Sequence, residues 1–215
     1  MSVRAVVFDL WDTLVEWPVA EAERLKARLA ERVPVDRDEF ERRWRDGYRR
    51  SQTGPLADAY RALGLPEAHV EEHVAERHAF ARAALRLRDG ARETLTALRA
   101  RGLSLGLITV CSEEVPAAWP ESELAGLFDA ETFSSECGLM KPEPEIYLQT
   151  LRALGVEPHR AVFVGDGAND ELAGAERVGM IPVLFAPNGE PRWASVAEWR
   201  GLRVRALDEV LQLLE

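Results

Sequence analysis

The sequence predicts an α/β fold, a parallel sheet with helices on both faces, interrupted after its first strand by an all-helical insertion. Three observations carry this. Over residues 88–215, short apolar runs alternate with amphipathic helical stretches, the pattern of successive βαβ units. Residues 15–87 hold polar helical segments rich in Glu, Arg and Ala, with no strand-like run. Three of the apolar runs end on Asp9, Thr109 and Asp166, and open parallel sheets bind their ligands beyond the carboxyl ends of the strands.

The elements follow in order. VRAVVFDL (3–10) reads as a buried parallel strand, and LSLGLITV (103–110) and RAVFVGD (160–166) repeat its style; IPVLFA (181–186) does so more weakly. ARETLTALRARG (91–102) sets Leu95 and Leu98 on one face and stops at Gly102. EPEIYLQTLRALG (143–155) carries an apolar stripe closed by Gly155, and NDELAGAERVG (169–179) opens on a good helix-capping residue. RVRALDEVLQLL reads as a short strand feeding a terminal helix. The helical segments of 15–87 are punctuated by PVD, TGP and GLP. The predicted division is a core of residues 1–14 and 88–215, with 15–87 standing over the strand ends as a lid.

Composition bounds the function. The 215 residues are 47% apolar and 30% charged, as in a soluble globular protein. A net charge of -10 argues against a nucleic-acid surface, but a small phosphorylated substrate needs only local positive charge. The longest apolar stretch, LSLGLITVC, is about half the length that crosses a bilayer. Cys111 and Cys137 suggest neither a disulfide scaffold nor a zinc ribbon. The expectation is a cytoplasmic protein with no membrane or nucleic-acid partner, monomeric or homodimeric.

Four pieces at the strand ends carry chemistry: Asp9 with Thr13 in FDLWDTL, Thr109, Lys141 in GLMKPEPEIY, and Asp166 with Asp170 in VGDGAND. Lys141 stands out because Lys26 is the only other lysine among 27 basic residues. Taken alone, each has an ordinary reading as a turn former, helix cap or solvated residue. In this order and context they resemble the haloacid dehalogenase-like superfamily along essentially the whole chain. The resemblance implies a Rossmann-like core with a helical cap at 15–87, and Asp9 as a nucleophile forming an aspartyl-phosphate. It further implies Mg²⁺ held by Asp9, the backbone carbonyl of Trp11, Asp166 and Asp170. Thr109 and Lys141 would bind the phosphoryl oxygens.

Trp11 departs from this pattern. Most phosphatases of the superfamily have there a second Asp that protonates the leaving oxygen, a contribution of about 10²–10⁴-fold for poor leaving groups. Acyl and activated aryl phosphates need no such proton. Haloacid dehalogenases of the superfamily also have an aromatic residue there. Their nucleophile attacks carbon without a metal, and Arg42, Arg43 or Arg49 would then clamp the substrate carboxylate. A binding or regulatory protein on the same scaffold is the third reading. Asp12 or Thr13 with Glu16 resembles a helix cap. His69 and His73 have a spacing that can bind a second metal, although an exposed polar helix is the commoner outcome.

Overall fold

The computed structural model describes residues 2–214; Met1 and Glu215, the outermost positions of the predicted core, lie outside them. Six strands form one parallel sheet: β1 Ala5–Phe8, β2 Ser104–Thr109, β3 Ala130–Phe133, β4 Ala161–Gly165, β5 Ile181–Phe185 and β6 Leu202–Val204. They lie in the order β3-β2-β1-β4-β5-β6. The chain therefore builds outward from β1 to β3, then crosses back and starts its second half at β4. That reversal leaves a crevice beyond the carboxyl ends of β1 and β4.

After β1 the chain forms α1 Val19–Arg32, α2 Arg37–Asp46, α3 Tyr48–Thr53, α4 Leu56–Leu63 and α5 Glu67–Ala84. Asp36 caps α2, its Oδ1 accepting the Glu39 N–H at 2.9 Å. These helices bury a cluster of their own, including Leu29, Phe40, Leu56, Tyr60 and Val70, apart from the sheet clusters. The insertion leaves and returns at one place: Val15 bridges Leu87, and the Arg88 N–H donates to the Leu14 carbonyl at 2.8 Å. The expected cap by Asp12 or Thr13 is not what forms. Helix α1 starts after Pro18 without a side-chain cap. Asp12 instead has φ 58°, and its Oδ1 accepts the Trp17 N–H at 3.1 Å, closing the intervening loop.

The remaining helices are α6 Ala91–Ala100, α7 Glu114–Ala118, α8 Ser134–Cys137, α9 Pro144–Leu154, α10 Glu171–Arg177 and α11 Glu209–Leu213. Successive side chains of a strand point to opposite faces, so each strand feeds two cores. Val6 and Phe8 join Val162 and Val164 with Leu95 and Leu98 of α6. Ala5 and Val7 join Phe163 with Tyr147 of α9 and Leu172 of α10. Both faces of the sheet are thus covered by helices, as the apolar runs required. Among the described residues, no helix is long and apolar enough to cross a membrane.

Candidate active site

Asp9 follows β1 directly and prolongs its pairing, its N–H donating to the Val164 carbonyl at 2.9 Å. Phe8 and Val164 are in register, and Asp166 follows the end of β4. Two adjacent strands therefore deliver two carboxylates to the crevice at nearly the same height. Both are buried, at 4% and 5% exposure. Lys141, just before α9, enters from the other side. Its Nζ pairs with Asp9 Oδ1, lies 2.5 Å from Glu171 Oε2, and donates to the Ile108 carbonyl at 3.3 Å. Thr13 Oγ1 donates to Asp9 Oδ2 at 3.1 Å, so both oxygens of Asp9 are held.

The third carboxylate of the buried group is Glu171, which the sequence reading did not name. Asp9, Asp166 and Glu171 have ligand oxygens within 4.8 Å of one another. Asp170 is exposed. The loop between β4 and α10 takes left-handed backbone at Gly167, Asn169 and Asp170 (φ 93°, 54° and 52°). That path puts Glu171 on the buried face of α10 with Leu172 and Ala175. Asn169 is likewise no helix cap, since α10 has no side-chain cap bond. The Glu171 carboxylate accepts the Gly167 N–H at 2.9 Å. Its Oε1 would lie 2.1 Å from a Cβ on Gly165, so any larger residue there must push Glu171 aside. Gly165→Ala is expected to displace Glu171 and cost about 1–3 kcal/mol in urea unfolding, as for overpacking of a tight core. An unchanged unfolding midpoint would show that Glu171 adapts freely.

The electrostatics follow from burial. Desolvation, then repulsion by Asp9, raises the Asp166 carboxyl above its ordinary range. The same two causes raise Glu171 well above its own, with Lys141 opposing. Burial alone would push the Lys141 ammonium down, but Asp9 and Glu171 outweigh it and hold it above its usual value. One ammonium among three buried carboxylates leaves excess negative charge in a low-dielectric site.

Thr109 is fully buried at the end of β2, and its hydroxyl has no hydrogen-bond partner. Thr109 does not itself line the cavity over Asp9; its successors Val110 and Cys111 do. That cavity has a volume of about 760 Å³ and is lined by Asp9, Trp11, Lys141 and Asp166, with Trp17 and Tyr48 on the insertion side. The Trp11 and Trp17 rings meet edge to face at 4.9 Å. Two partners escaped the sequence: Trp193 Nε1 donates to Asp166 Oδ2 at 2.6 Å, and Arg192 pairs with Asp12. Helix α3 ties the insertion down. Arg49 pairs with Glu143, and Gln52 Nε2 donates to Ser112 Oγ at 3.2 Å. Arg49 is thereby engaged, while Arg42 and Arg43 line the cavity and both bind Glu39. His69 and His73 lie one turn apart on α5, outside the converging group of Asp9, Asp166 and Glu171.

Known proteins place this arrangement. The profile of the haloacid dehalogenase-like hydrolase family matches residues 3–179. A glyceraldehyde 3-phosphate phosphatase from Pyrococcus abyssi is 31% identical over 204 residues, covering 85% of this chain and 81% of its own. Three further archaeal proteins of that name match over only 39%, 54% and 40% of their length. Among solved structures, a haloacid dehalogenase-type phosphatase from Thermococcus onnurineus superposes with TM-score 0.73 at 25% identity, covering 99% and 98% of the two chains. A 2-haloacid dehalogenase from Pseudomonas syringae does so with TM-score 0.71, also at 25% identity and with the same coverage.

Proposed function

The chain belongs to the haloacid dehalogenase-like hydrolases, and from that membership we propose a Mg²⁺-dependent phosphatase for a small phosphorylated metabolite, working through an aspartyl-phosphate on Asp9. The observation that carries this is the buried group of Asp9, Asp166 and Glu171 balanced by Lys141 alone. A divalent cation suits that donor set, because oxygen ligands and excess negative charge are what Mg²⁺ requires. Asp9 and Asp166 would hold it with the Trp11 carbonyl, and Glu171 is the third carboxylate within reach. When bound, Mg²⁺ screens the repulsion between the Asp9 carboxylate and the phosphoryl oxygens.

The chain's own residues supply the rest. Lys141 and Thr13 fix the two Asp9 oxygens, so the attacking atom is already oriented. An Asp9 oxygen bonds to phosphorus as the bond to the leaving oxygen breaks; water then cleaves the acyl phosphate and restores the carboxylate. The orphan hydroxyl of Thr109 suits a phosphoryl oxygen. With Trp11 where the superfamily's second Asp would stand, and the adjacent Asp12 in the cavity wall paired with Arg192, the favoured leaving groups are those that depart unprotonated, in acyl and aryl phosphates. Residues 15–87 act in this reading as a cap over the crevice, opening as the α3 tethers release and closing to exclude water.

The metal-free dehalogenase reading has the aromatic Trp11 and the likeness to a 2-haloacid dehalogenase in its favour, and a buried Asp166 against it. Assays with p-nitrophenyl phosphate, acetyl phosphate, glyceraldehyde 3-phosphate and L-2-chloropropionate, with Mg²⁺ or EDTA, decide between them. The expected outcome is phosphate release from acetyl phosphate and p-nitrophenyl phosphate, lost in EDTA. Chloride release that persists in EDTA would reverse the choice.

A further inference from the structure

The cavity over Asp9 also takes in residues of α5 and α7, which pack on each other. Trp11, Trp17 and Tyr60 line it, and so do His73 of α5 and Glu114 of α7. His73 is 5% exposed and Glu114 1%. The Nδ1 of His73 lies 3.2 Å from Glu76 Oε2, and neither that oxygen nor His73 Nε2 has a hydrogen-bond partner. Glu114 Oε1 accepts from Arg77 Nη2 at 2.5 Å, and its Oε2 has no partner. A fold rarely buries such atoms without satisfying them. Glu114 Oε2 therefore asks for a hydrogen-bond donor, and His73 Nε2 accepts one in the tautomer that carries its proton on Nδ1.

We propose that this part of the cavity is a leaving-group subsite for an aryl phosphate carrying a hydroxyl remote from its phosphate. The ring lies between Trp11, Trp17 and Tyr60, and the hydroxyl donates to His73 Nε2 or Glu114 Oε2. The proposal rests on the phosphatase reading of Asp9 and gives it a substrate class. An ammonium-bearing ligand fits less well, because the Arg77 guanidinium beside Glu114 repels it. An aromatic leaving group matches the walls, since aromatic side chains favour stacked or edge-on partners. It also matches the chemistry, because a phenolate departs without the proton that Trp11 cannot give. The volume of about 760 Å³ lies in the upper part of the range for small-molecule sites, roughly 300–1,000 Å³. Trp11 is thus a specificity residue, supplying a wall where a general acid would otherwise stand.

The test compares phenyl phosphate with 4-(hydroxymethyl)phenyl phosphate, and biphenyl-4-yl phosphate with its 4′-hydroxy derivative, in Mg²⁺. His73→Phe keeps the ring that packs against Tyr60 (6.3 Å between centroids), and Glu114→Gln keeps the side-chain shape. In the native protein at least one hydroxylated probe is expected to exceed its parent about tenfold in kcat/KM, through KM. That advantage should shrink to about twofold or less in at least one of the two variants. A native protein with no preference, or two variants that both keep it, overturns the subsite. Calorimetric binding of the same four compounds to the Asp9→Asn protein, alone and combined with each variant, repeats the comparison without turnover. Hydroxyl-dependent binding that needs His73 or Glu114, in a protein whose native form never releases phosphate, removes the phosphatase reading and keeps the subsite. Equal binding of each pair, or none, overturns it.

Discussion

Asp9→Asn is expected to lower phosphate release by at least about 10⁴-fold, because it removes the carboxylate that the proposed mechanism uses as nucleophile. The folded state should survive. The carboxamide oxygen of the variant can still accept from Lys141 or Thr13, and Lys141 keeps Glu171 at 2.5 Å. The substitution also removes the repulsion that Asp9 exerts on Asp166 and Glu171. Without metal, the thermal midpoint at neutral pH should therefore hold or rise. Mg²⁺ should then stabilise the variant less than the native protein, where saturation at about 100 times Kd is worth roughly 2.7 kcal/mol. Differential scanning fluorimetry in Mg²⁺ and EDTA reads both effects. A variant that loses its folded state in EDTA would make Asp9 chiefly structural. Equal Mg²⁺ stabilisation of the two proteins would move the cation away from Asp9.

The parts of the fold that were legible in the sequence are those where a local pattern meets a global need. Strands β1, β2 and β4 are buried on both faces, so each reads as an unbroken apolar run. Strand β3 was not legible: AETF is four residues long, sits at the sheet edge, and carries half-exposed or exposed positions at Ala130 and Glu131. At the site, Asp9 and Asp166 come together where strand ends predicted them, and Lys141 joins them from the segment before α9. Asp170 stands exposed beside the buried group because a motif read as spacing ignores backbone hand. Three left-handed residues turn the loop before α10 begins, so the inward acid is the one in step with Leu172 and Ala175. That helical periodicity was present in the sequence and could have named Glu171. Trp193 offered no comparable signal, since it reaches Asp166 only through the connection from β5 to β6.

Those tertiary partners also bear on how the insertion works. Helix α3 bridges to the core through Arg49, Gln52 and the Gln52 carbonyl, which accepts from Ser134 Oγ at 2.7 Å. Ser134 Oγ in turn accepts the Cys111 N–H at 2.8 Å, two residues past Thr109. One hydroxyl thus links the helical insertion to the loop that follows β2. These tethers are polar, whereas Ala81 of α5 and Leu85 just after it join the hydrophobic core beside the sheet, so the insertion is anchored at α5 and held by hydrogen bonds at α3.

Trp11→Asp provides the sharpest test of why the chain lacks an acid. The new carboxyl would stand in the same cavity wall as Asp9 and Asp166. Burial and those two like charges would raise its pKa, which suits a group that must donate a proton to a leaving oxygen. Hydrolysis of an alkyl phosphate such as glycerol 3-phosphate is expected to rise by about 10²-fold or more. Acetyl phosphate, whose leaving group needs no proton, should change little. Aryl phosphates should bind more weakly, since the wall that meets Trp17 at 4.9 Å is gone. Losing that contact from a half-buried position should cost about 1–3 kcal/mol of stability, so rates belong at a temperature where both proteins are folded. A gain confined to alkyl esters would show that the tryptophan set the substrate class by withholding a proton. A flat response across all three classes would mean that some other group already protonates the leaving oxygen, and the preference assigned to acyl and aryl phosphates would fall with it.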